Sequence, residues 1–141
     1  MVTVDVVVTN PKAEFLLVKR NENNLIRKNA WGTPGGRVFR NEKLREAAMR
    51  VLQRETGLSV PSSSLRLRGA HEFLDAKEHT VTLIFSARNP TGTLARDETS
   101  SSLRWFARHN VPKSLLADYR DILSKAGIVV LKGARTWRGI R

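Results

Sequence analysis

Valine and threonine dominate the opening stretch from Met1 to Val8, and the alternation along it predicts a strand. Asp5 interrupts this stretch on the face it shares with Thr3 and Val7. Asn10-Pro11-Lys12 reads as a turn, after which Glu14 to Arg20 returns as a second strand through Phe15-Leu16-Leu17-Val18. Its exit delivers two cations, Lys19 and Arg20. The polar segment Asn21 to Asn29 is a loop carrying Arg27 and Lys28, and Trp31 to Val38 is rich in glycine. A helix is then predicted from about Glu42 to Thr56, with Asn41 as N-cap and Gly57 as its left-handed stop.

Beyond the loop Pro61 to Ser64, the segments Leu65 to Leu74 and His79 to Arg88 read as strands of a hairpin joined around Asp75-Ala76-Lys77-Glu78. Asn89 to Ser102 is polar and reads as a loop, and Leu103 to Phe106 as a short strand. From Val111 to Ala126 the residues Leu115, Leu116, Tyr119, Ile122 and Leu123 recur at helical spacing, with Pro112 suited to a helix start. Gly127 ends it, and Ile128 to Leu131 is an apolar strand or packing segment. Strands, helix, strands and terminal helix in this order predict a mixed sheet covered on both faces by helices.

The 141 residues read as one domain able to bury a core, with Lys132 to Arg141 a basic tail holding Trp137. Apolar residues at 40% and charged residues at 27% suit a globular chain. No run approaches membrane-spanning length and no signal peptide is evident, so a cytoplasmic location without a membrane partner is the expectation. With no cysteine there is no disulfide and no thiolate metal site. The formal charge of +12 favours anionic partners: nucleotides, phosphorylated sugars or nucleic acid.

Chemistry concentrates around the glycines. Gly36 is followed by five residues and Glu42, then seven and Arg50, with Glu55 and Gly57-Leu58 closing the unit. Glycines let a diphosphate approach the backbone, and a carboxylate on the facing helix can hold the magnesium the diphosphate carries. Residues 51 and 55 are four apart and share a helical face. That face offers Glu55 but also Val51, with Arg54 close by, which predicts one magnesium ion and not a cluster.

The spacing resembles the Nudix box: glycine, five residues, glutamate, seven residues, then Arg-Glu-apolar-x-Glu-Glu-x-Gly-apolar. Val51 and Arg54 stand where the family places glutamates. The resemblance implies an α/β (α+β) fold of Nudix type, an α/β/α sandwich with a mixed β-sheet. Among Nudix subgroups, the GDP-mannose mannosyl hydrolases are most similar, sharing Pro34 to Val38, Asp5, Glu14 to Arg20, Asp97-Glu98 and Arg104-Trp105. That similarity implies attack by water at the anomeric carbon of a nucleoside-diphosphate sugar, with GDP leaving. It further implies Gly35 and Glu55 as Mg2+ ligands, Arg20 and Arg37 on the diphosphate, and Asp5 and Arg50 on the sugar side. A homodimer is implied in the same way.

Each arginine has an ordinary alternative as a surface cation or a helix ion pair, and Glu46 stands four residues ahead of Arg50. Where the subgroup has a basic histidine and a metal-binding glutamine, this chain has Ser100 and Thr99. Glu98 is taken as the catalytic substitute, with Asp97, His71, His79 and His109 as alternatives. Three functional readings follow. The first is a magnesium-dependent nucleotide-sugar hydrolase. The second is a Nudix diphosphatase that cleaves the phosphoanhydride. The third, least favoured, is a non-catalytic domain binding nucleotide or RNA through the basic tail.

Overall fold

The computed structural model describes residues 1–24, 27–75 and 78–130. Among these residues, nine strands and two α-helices, besides a short 3-10 helix (Ser62–Ser64), run in the order β1 (Val2–Thr9), β2 (Phe15–Arg20), β3 (Trp31–Gly32), β4 (Gly35–Arg37), α1 (Leu44–Thr56), β5 (Leu58–Ser59), β6 (Arg66–Leu74), β7 (His79–Arg88), β8 (Thr91–Gly92), β9 (Ser100–Phe106) and α2 (Ala117–Lys125). The main sheet is mixed. Its path is β3-β2-β1-β7-β6, with β4 added to β1 and β9 to β2. β1 and β7 are parallel along their whole length, and this central pair is covered on both faces, which explains the near-unbroken valines of β1.

The two faces build separate cores. Val4, Val6, Val8 and Leu16 pack against Ala47, Ala48, Val51 and Leu52 of α1. Val7, Phe15, Leu17 and Ile84 pack against Tyr119, Ile122 and Leu123 of α2. The predicted sandwich is therefore the architecture found.

One departure from a regular ladder positions the site. β1 meets β2 at Thr9↔Phe15, and the two strands then diverge. The glycine-rich segment fills the split: Trp31 and Gly32 pair with Lys19 and Val18, while Gly35 and Gly36 pair with Asp5 and Val4. Between them, the Pro34 carbonyl accepts the Val6 N–H at 2.9 Å.

Several element boundaries differ from the sequence reading. Asn41 is not the N-cap: it takes φ +63° in a turn, and α1 starts at Leu44 after Lys43. Two carboxylates satisfy the entry instead, Glu42 accepting from the Phe39 N–H and Glu46 from the Lys43 N–H, both at 2.9 Å. Gly57 is the left-handed stop, φ +77°, its N–H reaching the Gln53 carbonyl at 2.9 Å. α2 begins at Ala117, not Val111, because Pro112 opens a turn closed by the Leu115 N–H. The segment 89–102 is not wholly loop, since β8 pairs with β5 and β9 starts at Ser100.

Ile128 to Val130 form no strand, although Ile128 and Val130 pack on the α2 core. The β6–β7 hairpin forms in the register Leu74↔His79. Ala76, Lys77, Leu131 and the tail Lys132 to Arg141 with Trp137 lie outside the described residues. Among the described residues, no helix is long and apolar enough to cross a membrane.

Candidate active site

The site forms where β2 ends, the glycine segment bends and α1 finishes. Glu55 projects from the last turn of α1 and is 4% exposed. Its Oε1 accepts the Gly35 N–H at 3.0 Å. Arg20, at the end of β2, reaches both carboxylate oxygens with one nitrogen, at 3.4 and 3.3 Å, and donates to the Thr33 carbonyl with the other at 3.2 Å. Burial works against the charge on Arg20, but Glu55, Tyr119 and Asp5 together outweigh it and its pKa is displaced upward.

The arginine at position 54 occupies the place of a lost carboxylate. Its guanidinium lies 3.9 Å from Glu55 Oε2 and 3.9 Å from Asp97 Oδ2. Val51 approaches Gly36, where an added Cβ would stand 3.1 Å from its methyl. Among the described residues, no group of three or more His, Cys, Asp or Glu side chains could hold a metal ion.

Asp5 is 6% exposed, below the bend. Thr33 Oγ1 donates to one carboxyl oxygen at 2.6 Å and Thr82 Oγ1 to the other at 3.2 Å. Burial pushes this carboxyl up to about 6, with the Thr33 hydrogen bond and the Arg20 charge holding it from going further. Gly35 must be glycine here, because a Cβ would stand 2.1 Å from Asp5 Oδ1 and 2.9 Å from the Val4 carbonyl oxygen. Asp5 thus supports the bend from beneath, and the ring of Tyr119 does the same under Gly32.

Arg50 is not paired with Glu46. Its guanidinium grips Glu42 at 2.7 and 2.9 Å, donates to the Arg37 carbonyl at 2.7 Å and stacks on Phe39 at 3.7 Å. The hydrogen bonds from Arg50 and from the Phe39 N–H lower Glu42 to about 2. Glu42 and Arg50 therefore tie the glycine segment to the helix, with Nε and Nη2 of Arg50 engaged in that task. Arg37 is exposed on β4.

The loop leading to β9 brings Asp97 towards the site. Asp97 Oδ1 accepts the Thr99 N–H at 2.9 Å and its hydroxyl at 2.5 Å. Glu98 is exposed, and its backbone carbonyl accepts from Asn21 at 2.6 Å. Ser100, beside Arg20 in the β2–β9 pairing, is 2% exposed, and its hydroxyl has no partner among the described residues. The histidines are engaged elsewhere: His71 between Asp118 and Asp121 at 2.7 Å each, His79 with Glu72, and His109 on a cavity at the other end of the sheet. Arg27 stacks over Phe73 at 4.4 Å.

Sequence reasoning named Glu55, Arg20 and Gly35, which the fold brings together. It missed Thr33, Thr82 and Tyr119. The signal for the threonines was available: a carboxylate on a buried strand face needs hydroxyl partners from neighbouring segments.

The donors present suit a single divalent ion better than several. Glu55 is one carboxylate whose oxygens make long contacts to Arg20, leaving lone-pair capacity, while Arg20 and Arg54 already balance its charge. Glu55 is thus the residue that could hold a cation arriving together with a diphosphate, since magnesium keeps its waters and needs few protein ligands.

The family model for the NUDIX domain matches residues 1–126. The chain is 34% identical over 99 residues to the m7GpppN-mRNA hydrolase NUDT17 of Xenopus laevis, covering 64% of this chain and 33% of that protein. It is 29% identical over 110 residues to the ADP-ribose pyrophosphatase of Methanocaldococcus jannaschii, covering 78% and 63%. The chain thus spans a third of one curated relative and under two thirds of the other. A solved MutT NUDIX hydrolase from Burkholderia pseudomallei superimposes with a TM-score of 0.79 at 26% identity, covering 88% of this chain and 95% of that one.

Proposed function

The chain belongs to the Nudix family, and from that premise we propose that it hydrolyses a nucleoside-diphosphate sugar by displacing the nucleoside diphosphate from the anomeric carbon. One observation carries this reading: cations, not carboxylates, surround Glu55, with Arg20 at 3.3 Å and Arg54 at 3.9 Å. Attack on phosphorus profits from several metal ions that generate and place a hydroxide. Departure of a diphosphate from carbon chiefly needs its growing negative charge neutralised, which fixed guanidinium groups do in a water-poor site.

In this reading Arg20 and Arg54 face the diphosphate, and Arg37, exposed at the mouth, captures it. Glu55, with the Gly35 carbonyl, is the residue that would hold Mg2+, which supplies further positive charge to the leaving group. Glu42 and Arg50 keep the glycine segment in place. Asp97, ordered by Thr99 and set against Arg54, is better disposed than Glu98 to take the proton of the attacking water. GDP-mannose and GDP-glucose are the first substrates to test, and a homodimer is the proposed assembly.

A second reading, phosphoanhydride cleavage, is favoured by Ser100: a buried hydroxyl stands where sugar-releasing relatives of the proposed subgroup carry a basic histidine. ADP-ribose, which one relative is named for, carries its diphosphate on the ribose C5 hydroxyl and not at the anomeric carbon, so it tests this second reading alone. Hydrolysis of GDP-mannose with magnesium in 18O-water separates the two. Label in free mannose, with GDP as co-product, supports displacement at carbon. Label in GMP or mannose phosphate moves the bond to phosphorus, and no turnover of any nucleotide sugar removes the proposal.

A further inference from the structure

At the end of the sheet remote from Glu55, the strand termini line an open cavity of about 990 Å3. Thr9 closes β1, Arg88 closes β7, Arg66 opens β6 and Ala107 follows β9. Phe15, level with Thr9, opens β2 and Arg20 ends it, so the two places stand roughly 17 Å apart at ~3.4 Å per residue. A volume of this order suits a small ligand.

The charge lining this cavity is of one sign. Lys12 comes from the β1–β2 turn, Arg66 and Arg68 from β6, Arg88 from β7 and Arg108 from the turn after β9, with His109 beside it. Among the described residues, no acidic one lines it. No described carboxylate pairs with any of the five cations, although elsewhere Arg20, Arg50, Arg54 and Lys125 all find acidic partners. The placement of Arg68 is specific: the β6–β7 register shifts between Leu67 and Gly69, making Arg68 the inserted residue of a bulge. Its guanidinium comes to the cavity wall, 3.2 Å from where a Cβ on Gly127 would lie.

Cations from four separate segments converging on one concavity repel one another and focus a positive potential into it. A bound anion relieves that repulsion. Among the described residues the lining has no Phe, Tyr or Trp for stacking a base and no carboxylate for sugar hydroxyls, while Ala87 and Ile128 make its wall partly apolar. It reads charge and not base identity.

We propose that this cavity is a second binding site, separate from the Glu55 site, for a ligand presenting several phosphates. Two sources share that chemistry: a free oligophosphate and the phosphodiester backbone of a nucleic-acid strand.

Amide shift mapping on the full chain, titrated with inorganic tripolyphosphate without divalent metal, tests it. Shifts clustering at Arg66 to Gly69, Arg88 and Arg108, and Gly127, with affinity weakened about tenfold or more by Arg66→Gln/Arg68→Gln and by Arg88→Gln/Arg108→Gln, support the site. All four side chains are exposed, so neither double variant disturbs a core, and Arg37→Gln should leave this binding unchanged. Shifts confined to Gly35 to Arg37, or equal affinity in both double variants, overturn it. In a second arm, a ten-nucleotide single strand competes with tripolyphosphate. Displacement lost in the same variants identifies the strand as the source, and failure to displace identifies the free oligophosphate.

Discussion

Replacing Asp5 with asparagine should stabilise the protein at neutral pH, and that advantage should fade on acidification. In the folded chain burial holds the Asp5 carboxyl at about 6, against 3.8 for the ordinary group. Between those values the unfolded chain has released this proton and the folded chain still binds it, so stability falls as pH rises across the window. Below it both states are protonated and nothing is lost. Above it the full displacement is felt, about 3 kcal/mol at ~1.4 kcal/mol per pH unit. The group is buried, so solvent screening does not reduce this figure.

Asparagine has nearly the same shape, cannot ionise, and still offers an oxygen to the Thr33 hydroxyl. Urea unfolding followed by tryptophan fluorescence, run on both proteins from about pH 4 to pH 8, isolates the effect, because contributions from other groups cancel in the difference. The difference should shift by about 2.5 kcal/mol in favour of Asp5→Asn over that range, the remainder lying below pH 4. A difference that stays flat with pH, or that grows in favour of the parent towards pH 8, refutes the reasoning.

Three further perturbations follow from the same geometry. Gly35→Ala places a methyl 2.1 Å from Asp5 Oδ1, so a loss of about 1–3 kcal/mol is expected in denaturant melts, partly recovered by a second change, Asp5→Ala. Glu55→Gln leaves the Arg20 guanidinium buried beside an uncharged group. A destabilisation of about 3 kcal/mol and a fall in turnover of about a hundredfold or more should appear together, and full stability with full activity would contradict the ion pair's assigned role. Arg50→Gln frees Glu42, whose carboxyl should titrate well above its present value of about 2 when followed by carbon NMR. Because a lowered carboxyl stabilises the fold above its ordinary range and loses that effect as pH falls, this variant should also show a flatter acid limb.

The architecture was legible because period and punctuation agreed: β-branched alternation in β1, helical spacing in α1 and a left-handed glycine at position 57. Glu55, Gly35 and Arg20 were legible through the same spacing. Partner choice was not. Arg50 passes over Glu46, four residues away, because Glu46 is already occupied with the Lys43 N–H, and Glu42 sits where the guanidinium can also hold the Arg37 carbonyl. Asn41 failed as a cap for a related reason, since the turn before α1 needed a residue tolerant of positive φ. Thr33 and Thr82 were hidden because they reach Asp5 from segments 28 and 77 residues distant.

The divergence of β1 from β2 gives the sheet two leaves, joined at the Thr9–Phe15 stitch and by the glycine segment that pairs with both. Arg20 rides on one leaf, and Gly35, which binds Glu55, rides on the other. The splay of the leaves therefore sets how far Arg20 stands from Gly35, so a bulkier side chain at the stitch, five residues from Arg20, should be felt at the Glu55 site.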